Sequence, residues 1–446
     1  RAGSIPALGT IMKLNFYSKN IRRLLVFFSL FYFTSCVYFN TFYNAKSNYK
    51  KAHSIIDLMD YRETSIPTEA ERLLNLAIAN SRVVIEKHPN SRHVEEAYYL
   101  LGSSMFLKDD YISSKEYFLP LVEQYPDGEY FNEANLRLAQ IELRTNNRNN
   151  ADSIITELKN NSDLNRYENF LLRNIYAEIN VIDQEIDSAY QNYIESIKFS
   201  KSDEQKIKIY NNLIRIAEEN KDYENLLIYV DELYNTLFID SDKKELKLLS
   251  IEYNKRLSRY DYLITEIQNM LNQSLFEDKR MFLTVELAKS YYNLEDYEIA
   301  EELFRELVDT YSKKNETAEA YFYLAKINIA NNFNLEKIKE LYEKSKSERS
   351  SSKHGKLSKQ LIKKVETLED IIYEYNLSIS EENEDKTDQP APDSLLFDMA
   401  QIYYFDFNQI DSSISKHSKL IYNFPESKFA IIFFLFIFSN TFSAFS

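Results

Sequence analysis

Between residues 95 and 345 the apolar positions fall into paired stretches. Each stretch runs for roughly 14 residues at the helical period of 3.6. Short polar turns such as Lys108-Asp109-Asp110 and Leu294-Glu295-Asp296 join the two members of a pair. Each pair therefore predicts a helix–turn–helix hairpin. The hairpins repeat. Aligned on Gly102, a small or aliphatic residue recurs at Ala139, Ala177, Ile214, Ile251, Ala288 and Ala325, in steps of 37, 38, 37, 37, 37 and 37 residues. Twelve residues after each anchor stand Ser114, Ala151, Ala189, Leu226, Leu263, Ala300 and Lys337. Four further on stand Phe118, Ile155, Tyr193, Val230, Ile267, Phe304 and Leu341. Nine after the anchor, tyrosine appears at Tyr111, Tyr223, Tyr260 and Tyr297. Small anchors let the two helices of a unit approach closely, and bulkier residues of the second helix fill the space between neighbouring hairpins. The expectation is an all-α array of seven stacked units.

The flanks read as follows. Asn44 to Met59 and Ala70 to Lys87 predict an opening hairpin around a polar insert, Tyr61 to Thr68. Ser345 to Lys356 reads as a Ser/Lys loop, and Leu357 to Leu377 as a charged amphipathic helix. Ser378 to Asp393 is acidic and carries Pro390 and Pro392, the composition of a disordered linker. Leu395 to Pro425 predicts a further hairpin. A P-[ND]-[SG] turn follows Pro89 and Pro126, with alanine eight residues on at Ala97 and Ala134. Pro425-Glu426-Ser427 opens the same phrase, but position 433 is phenylalanine, inside the apolar run Phe429 to Phe438. Ten apolar residues are too few to span a bilayer, which takes about 20. The run reads as a truncated or frame-disrupted end, with a membrane-dipping tail as the alternative.

At the other end, Arg1 to Ile11 precede the first methionine, Met12, and are set aside as an upstream remnant. Lys13, Lys19, Arg22 and Arg23 then lead into the apolar run Leu24 to Phe33, followed by Thr34-Ser35-Cys36. A basic start, a short apolar core and small residues before a cut are the pattern of a secretory signal. Cys36 is the single cysteine of the chain. Its position resembles a bacterial lipoprotein signal, in which this cysteine is lipidated and becomes the first mature residue. Phe33 departs from the leucine usual three residues before the cysteine. An uncleaved anchor, or an ordinary signal with an incidental cysteine, is the alternative. Acyl chains at about 0.8 kcal/mol per buried CH₂ would hold the chain at a membrane. Val37, in place of aspartate, implies by the same resemblance the outer membrane. The expected organisation is thus 1–35 remnant and signal, 36–94 lipidated start and opening hairpin, and 95–345 repeats. After these come 346–377 loop and helix, 378–393 linker, 394–428 hairpin and 429–446 apolar tail.

Composition narrows the function. Five glycines in 446 residues leave no GxGxxG, no GxxxxGK[ST] and no GxSxG, so the usual phosphate loops and the hydrolase elbow are absent. One cysteine cannot build a cysteine-based zinc site or an intrachain disulfide. The net charge is −15, and the first 35 residues hold five basic and no acidic groups. The other 411 carry 49 basic and 69 acidic groups, a net of −20. Such a body repels nucleic-acid phosphates. There is no HExxH among the five histidines, and His88 and His93, five apart around Pro89, read as helix-end residues rather than metal ligands. Glu218-Glu219 and Glu301-Glu302 read as solvated helix faces. A helical lytic transglycosylase would need a compact, glycine-bearing catalytic domain. The expectation is no catalysis, no cofactor, no metal and no nucleic-acid partner.

The unit resembles the tetratricopeptide repeat, with Tyr98 in place of its tryptophan and Leu101, Gly102, Tyr111, Phe118 and Pro126 at matching positions. It is three residues longer than the common form, and Ile214 and Ile251 depart from the small-residue position. The resemblance implies a right-handed superhelix whose first helices line an inner groove. Positions i, i+3, i+7 and i+10 share one helix face. They give Glu96, Tyr99, Ser103 and Phe106 in one unit and Glu133, Leu136, Gln140 and Leu143 in the next. Tyr99, Ser103, Phe106, Leu136, Gln140 and Leu143 are the candidate partner-binding residues, suited to an extended peptide or a partner helix. The equal alternative is that Tyr99 and Leu136 pack between hairpins. The order of cysteine, opening hairpin, His88-Pro89-Asn90-Ser91 and Ala97-Tyr98-Tyr99-Leu100-Leu101-Gly102 resembles the BamD family, over Asn44 to Leu158. That resemblance implies a lipid-anchored, periplasm-facing scaffold that holds a β-barrel assembly component and receives unfolded barrel segments. A SusD-like glycan-capturing lipoprotein is the other helical-repeat reading. Its tryptophan platforms have no counterpart in a chain without tryptophan.

Overall fold

The computed structural model describes residues 40–60, 62–63, 65–161, 163–380 and 390–431. Among them the only regular secondary structure is helical. The chain divides into two compact units, one up to Ser250 and one from Ile251.

In the first unit, α1 spans 40–57 and α2 Thr68–Lys87. Hairpins follow: α3 Val94–Leu107 with α4 Tyr111–Gln124, α5 Phe131–Arg144 with α6 Arg148–Asn161, α7 Arg166–Ile182 with α8 Ile186–Phe199, and α9 Asp203–Glu219 with α10 Tyr223–Thr236. Each pair packs face to face, and the first helices also touch one another from α3 to α5 to α7. Helix α11, Asp240–Arg256, contains the division between the units.

The second unit continues with α12 Tyr260–Leu271, a 3-10 segment Ser274–Lys279, and the hairpins α13 Arg280–Asn293 with α14 Tyr297–Thr310 and α15 Asn315–Asn331 with α16 Leu335–Glu348. Then come α17 Lys353–Ser378, α18 Pro392–Phe405 and α19 Ile410–Asn423. Here α13, α15 and α17 touch in sequence, again placing first helices in one row. A row of first helices backed by second helices is the layout of a helix-hairpin solenoid, and that is the fold class of this protein.

The anchor columns meet inside the hairpins. All seven anchors are buried, as are Phe118, Tyr193 and Phe304. At the first anchor, a Cβ on Gly102 would come within 2.9–3.0 Å of the Phe118 ring, and the Ser114 hydroxyl donates to the Gly102 carbonyl at 2.8 Å. In the seventh unit the first helix runs one residue further past its anchor, while the turn stays three residues long. Ile338 and Tyr342 are buried beside Leu341 in the core, and Lys337 pairs with Glu340 at the surface.

The turns share one backbone solution. Asp109, Asn146, Gln184, Lys221, Ser258, Glu295 and Phe333 all have φ between 44° and 64°. At the first six, the next residue's N–H reaches a carbonyl five residues back, as from Asp110 to Met105 at 3.1 Å and from Asp222 to Ala217 at 2.8 Å. This is the bond pattern of a Schellman stop. At two of the turns the same residue also caps the following helix. Asp110 accepts from the Ser113 N–H and Asp222 from the Asn225 N–H.

Two segments differ from expectation. Ser345 to Lys356 is helix on both sides of a short turn at 349–352, and Ser345 is a buried contact residue. The Ser345 hydroxyl donates to the Ala318 carbonyl at 2.6 Å and accepts from the Ser358 hydroxyl at 2.8 Å. After Pro425, the turn bond from Ser427 to Phe424 leads into a helix from 428, in which Phe429 stacks on Phe397 at 4.9 Å. Residues 432–446 and most of the acidic linker lie outside the described residues, as do the signal and Cys36.

Candidate functional site

The inner face of the first unit is built from α3, α5, α7 and α9, and α1 lies across it. At its start, Phe42 stacks on the His93 ring at 4.1 Å and Lys46 pairs with Glu96 of α3 at 2.5 Å. In its middle, Tyr49 is buried against Tyr99 and Ser103 of α3, with Arg137 of α5 and Tyr167 of α7 nearby. At its end, Asp57 accepts an ion pair from Lys208 of α9 at 2.7 Å and lies 2.8 Å from His53 Nδ1. Just beyond, the Asn211 amide donates to the Met59 carbonyl at 2.8 Å.

Burial alone would raise the Asp57 carboxyl. Lys208 and His53 override it and hold the group well below the usual carboxylate range. Burial pushes the Tyr49 and Tyr99 phenols up, and it raises Glu133 of α5 despite neighbouring Arg137. The floor beneath α1 therefore holds buried polar groups. Arg137 donates to Gln140 at 2.8 Å and lies 5.1 Å from the centre of the Phe106 ring, but its Nε has no hydrogen-bond partner.

Of the six candidate residues, Tyr99, Ser103, Leu136, Gln140 and Leu143 are buried, and Phe106 is half-buried. Tyr99 stacks on Tyr130 at 4.6 Å and belongs to the apolar core shared by α1, α2 and α3. As the chain stands, these side chains meet α1 and neighbouring helices rather than a partner. The contacts that organise the face are ones the repeat pattern does not mark: Lys46, Tyr49, Asp57, Arg137, Lys208 and Asn211. One local signal exists. Asp57 stands in the last turn of α1, where a negative charge opposes the helix dipole. Such a residue points to a cation elsewhere in the fold.

Among the described residues no three His, Cys, Asp or Glu side chains converge as a metal site, and no helix is long and apolar enough to cross a membrane. His93, half of the histidine pair around Pro89, serves as the platform for Phe42.

A tetratricopeptide-repeat family model matches residues 285–313, most of the α13–α14 hairpin. Several solved structures are similar over most of this chain. One is a signal-transduction ATPase of the STAND class with a tetratricopeptide sensor, from Pyrococcus horikoshii. It is 14% identical over 81% of this chain and 54% of its own, with a TM-score of 0.30. This chain thus spans about half of that protein's length. Yeast Tom70 is 13% identical over 84% of this chain and 91% of its own, TM-score 0.27. Human IFIT1, as a monomeric mutant with Gppp-AAAA, is 14% identical over 79% and 70%, TM-score 0.27. No curated protein matches the sequence. The class is a tetratricopeptide-like scaffold, an architecture suited to holding other proteins.

Proposed function

We propose that this protein is a non-catalytic scaffold that binds other proteins through the inner face of its hairpin array, at the periplasmic side of a bacterial outer membrane. Cys36 carries the lipid that tethers it, and its partners are components of β-barrel assembly or unfolded barrel segments. The observation that carries the binding role is that the face formed by α3, α5, α7 and α9 already holds a helix. It does so with aromatic, ionic and backbone-directed contacts. The signal-like residues 13–36 support the tether, and the Ala97 to Gly102 motif supports the barrel-assembly role.

Two measurements test this. Metabolic labelling with a clickable fatty acid should mark the wild-type chain and not Cys36→Ser, which should leave the membrane fraction or remain unprocessed. Label persisting in the variant removes the anchor. Purification of the lipidated chain from detergent-solubilised outer membranes should bring down a barrel-assembly component in stoichiometric amount. Its absence under conditions that keep the assembly machinery intact removes the barrel-assembly role.

A further inference from the structure

We propose that the inner face of the first unit is a receptor for an amphipathic helix, and that α1 is its intramolecular stand-in. The incoming helix displaces α1 and copies its pattern: aromatic and small residues at i, i+3, i+7 and i+10, then a carboxylate five residues further on for Lys208. This rests on the scaffold reading and specifies its partner.

Helix α1 is placed like a ligand rather than like a repeat. Its buried stripe is Phe42, Ala45, Tyr49 and Ala52. From Phe42 to Asp57 the helix rises about 22 Å at about 1.5 Å per residue. That is just short of three steps of about 8–10 Å between packed helices, and Met59 beyond the helix end completes the reach to α9. Contacts at both ends fix this placement. Phe42 and Lys46 hold the α3 end, and Asp57 and Met59 hold α9, more than 150 residues away in sequence. A repeat helix contacts its sequence neighbours, whereas α1 shares a core with α2 and also reaches across to α9.

The hold is also separable from the array. Hairpin turns in this unit run to three residues, as at 108–110, but residues 58–67 separate α1 from α2. The α1 end of the contact depends on an acid that its own helix disfavours. The fit is incomplete as well. Arg137 Nε is unpartnered beneath α1, and a cleft of about 400 Å³ remains between α1 and the starts of α7 and α9, lined by Tyr49, His53, Asp57, Tyr167, Lys201 and Gln205. A helix that offers Arg137 an acceptor would satisfy a buried donor that α1 leaves unpaired.

The test uses a fluorescent peptide of residues 40–59 and full-length protein. Tyr49→Ala with Asp57→Ala weakens α1 and leaves the receptor face unaltered. By anisotropy, the peptide should bind this variant at least about tenfold more tightly than the wild type, because the cis competitor is removed. Adding Lys208→Asp to the variant should abolish binding, and a peptide carrying Asp57→Lys should restore it. Equal affinity for wild type and variant, or no rescue by the charge swap, overturns the proposal. Hydrogen exchange on the same variant supplies a second decision. Protection should fall in α1 and persist in α5, α7 and α9. Loss throughout these helices makes α1 a fixed part of the core and also overturns it. The peptide comes from the chain itself, so failure here leaves capture of a barrel-assembly component as an independent measure of the scaffold role.

Discussion

At seven hairpin turns the backbone passes through the left-handed region, and glycine fills none of those positions. A side chain there costs roughly 1–2 kcal/mol. Asp109 and Asn146 are residues that tolerate it, but Gln184, Lys221 and Glu295 are not. The bond from the following N–H to the carbonyl five residues back holds them in place. Gln184 and Lys221 are exposed. Gln184→Gly and Lys221→Gly should each stabilise the protein by about 0.5–1 kcal/mol, the strain relieved less glycine's larger unfolded-state entropy. A higher denaturation midpoint for the double variant checks this. Phe333→Gly should do the opposite, by about 1 kcal/mol, because its ring lies 5.2 Å from Tyr403 and 5.6 Å from Phe407. Glycine scarcity hid this turn geometry from a reading that takes left-handed positions from glycine. Asp57 carries a pH prediction of its own. It faces His53 on its own helix, Tyr167 of α7 and Lys208 of α9. Its folded pKa lies below the unfolded value of about 3.9. The stability it contributes is therefore complete above about pH 4 and declines as pH falls toward the depressed value. Hydrogen-exchange protection of α1 should be flat from pH 8 to 5, after correction for intrinsic rates, and should drop below about pH 4. In Asp57→Asn that drop should be missing.

At the scale of the helix pair, the determinant is the distance of closest approach. Gly102 permits the Phe118 ring to lie where a Cβ would meet it, and that ring is fully buried with no free direction to move. Gly102→Leu should cost about 1–3 kcal/mol by overpacking. Pairing it with Phe118→Ala should recover part of that loss, since the two changes share one space and are not additive. Chemical denaturation of the single and double variants measures both. These pairs were legible in the sequence because small and large columns keep one register and meet at every hairpin. The seventh unit was legible only in part. One extra residue between the anchor and the turn brings Ile338 and Tyr342 into the core beside Leu341, and a fixed spacing cannot follow it. The serines of 345–356 were unreadable for another reason. Ser345 and Ser358 satisfy each other and a carbonyl across a close helix contact, so composition suggests a loop where contact makes a helix.

For the molecule as a whole, sequence periodicity reports neighbours and not closure. It placed Tyr99, Ser103, Leu136 and Gln140 on the inner face. It could not show that residues 40–57 lie over that face, because Asp57 and Lys208 are linked by nothing local in sequence. This difference sets how damage spreads. In a solenoid each repeat contacts only its neighbours, so a destabilising change fades within a few units. Ala288→Leu, at the equivalent anchor of the α13–α14 hairpin, should lower hydrogen-exchange protection in α13 to α16 and leave α3 to α8 at wild-type rates. The first unit should behave differently, because α1 joins α3 directly to α9. Asp57→Ala removes one end of that link. Its effect should appear at both ends, raising exchange in α1 and α9 while α8 and α10 change less. A graded response that simply follows distance along the chain from residue 57 would show that α1 transmits nothing across the face. A paired response at α1 and α9 identifies α1 as a long-range coupling across the inner face of the first unit.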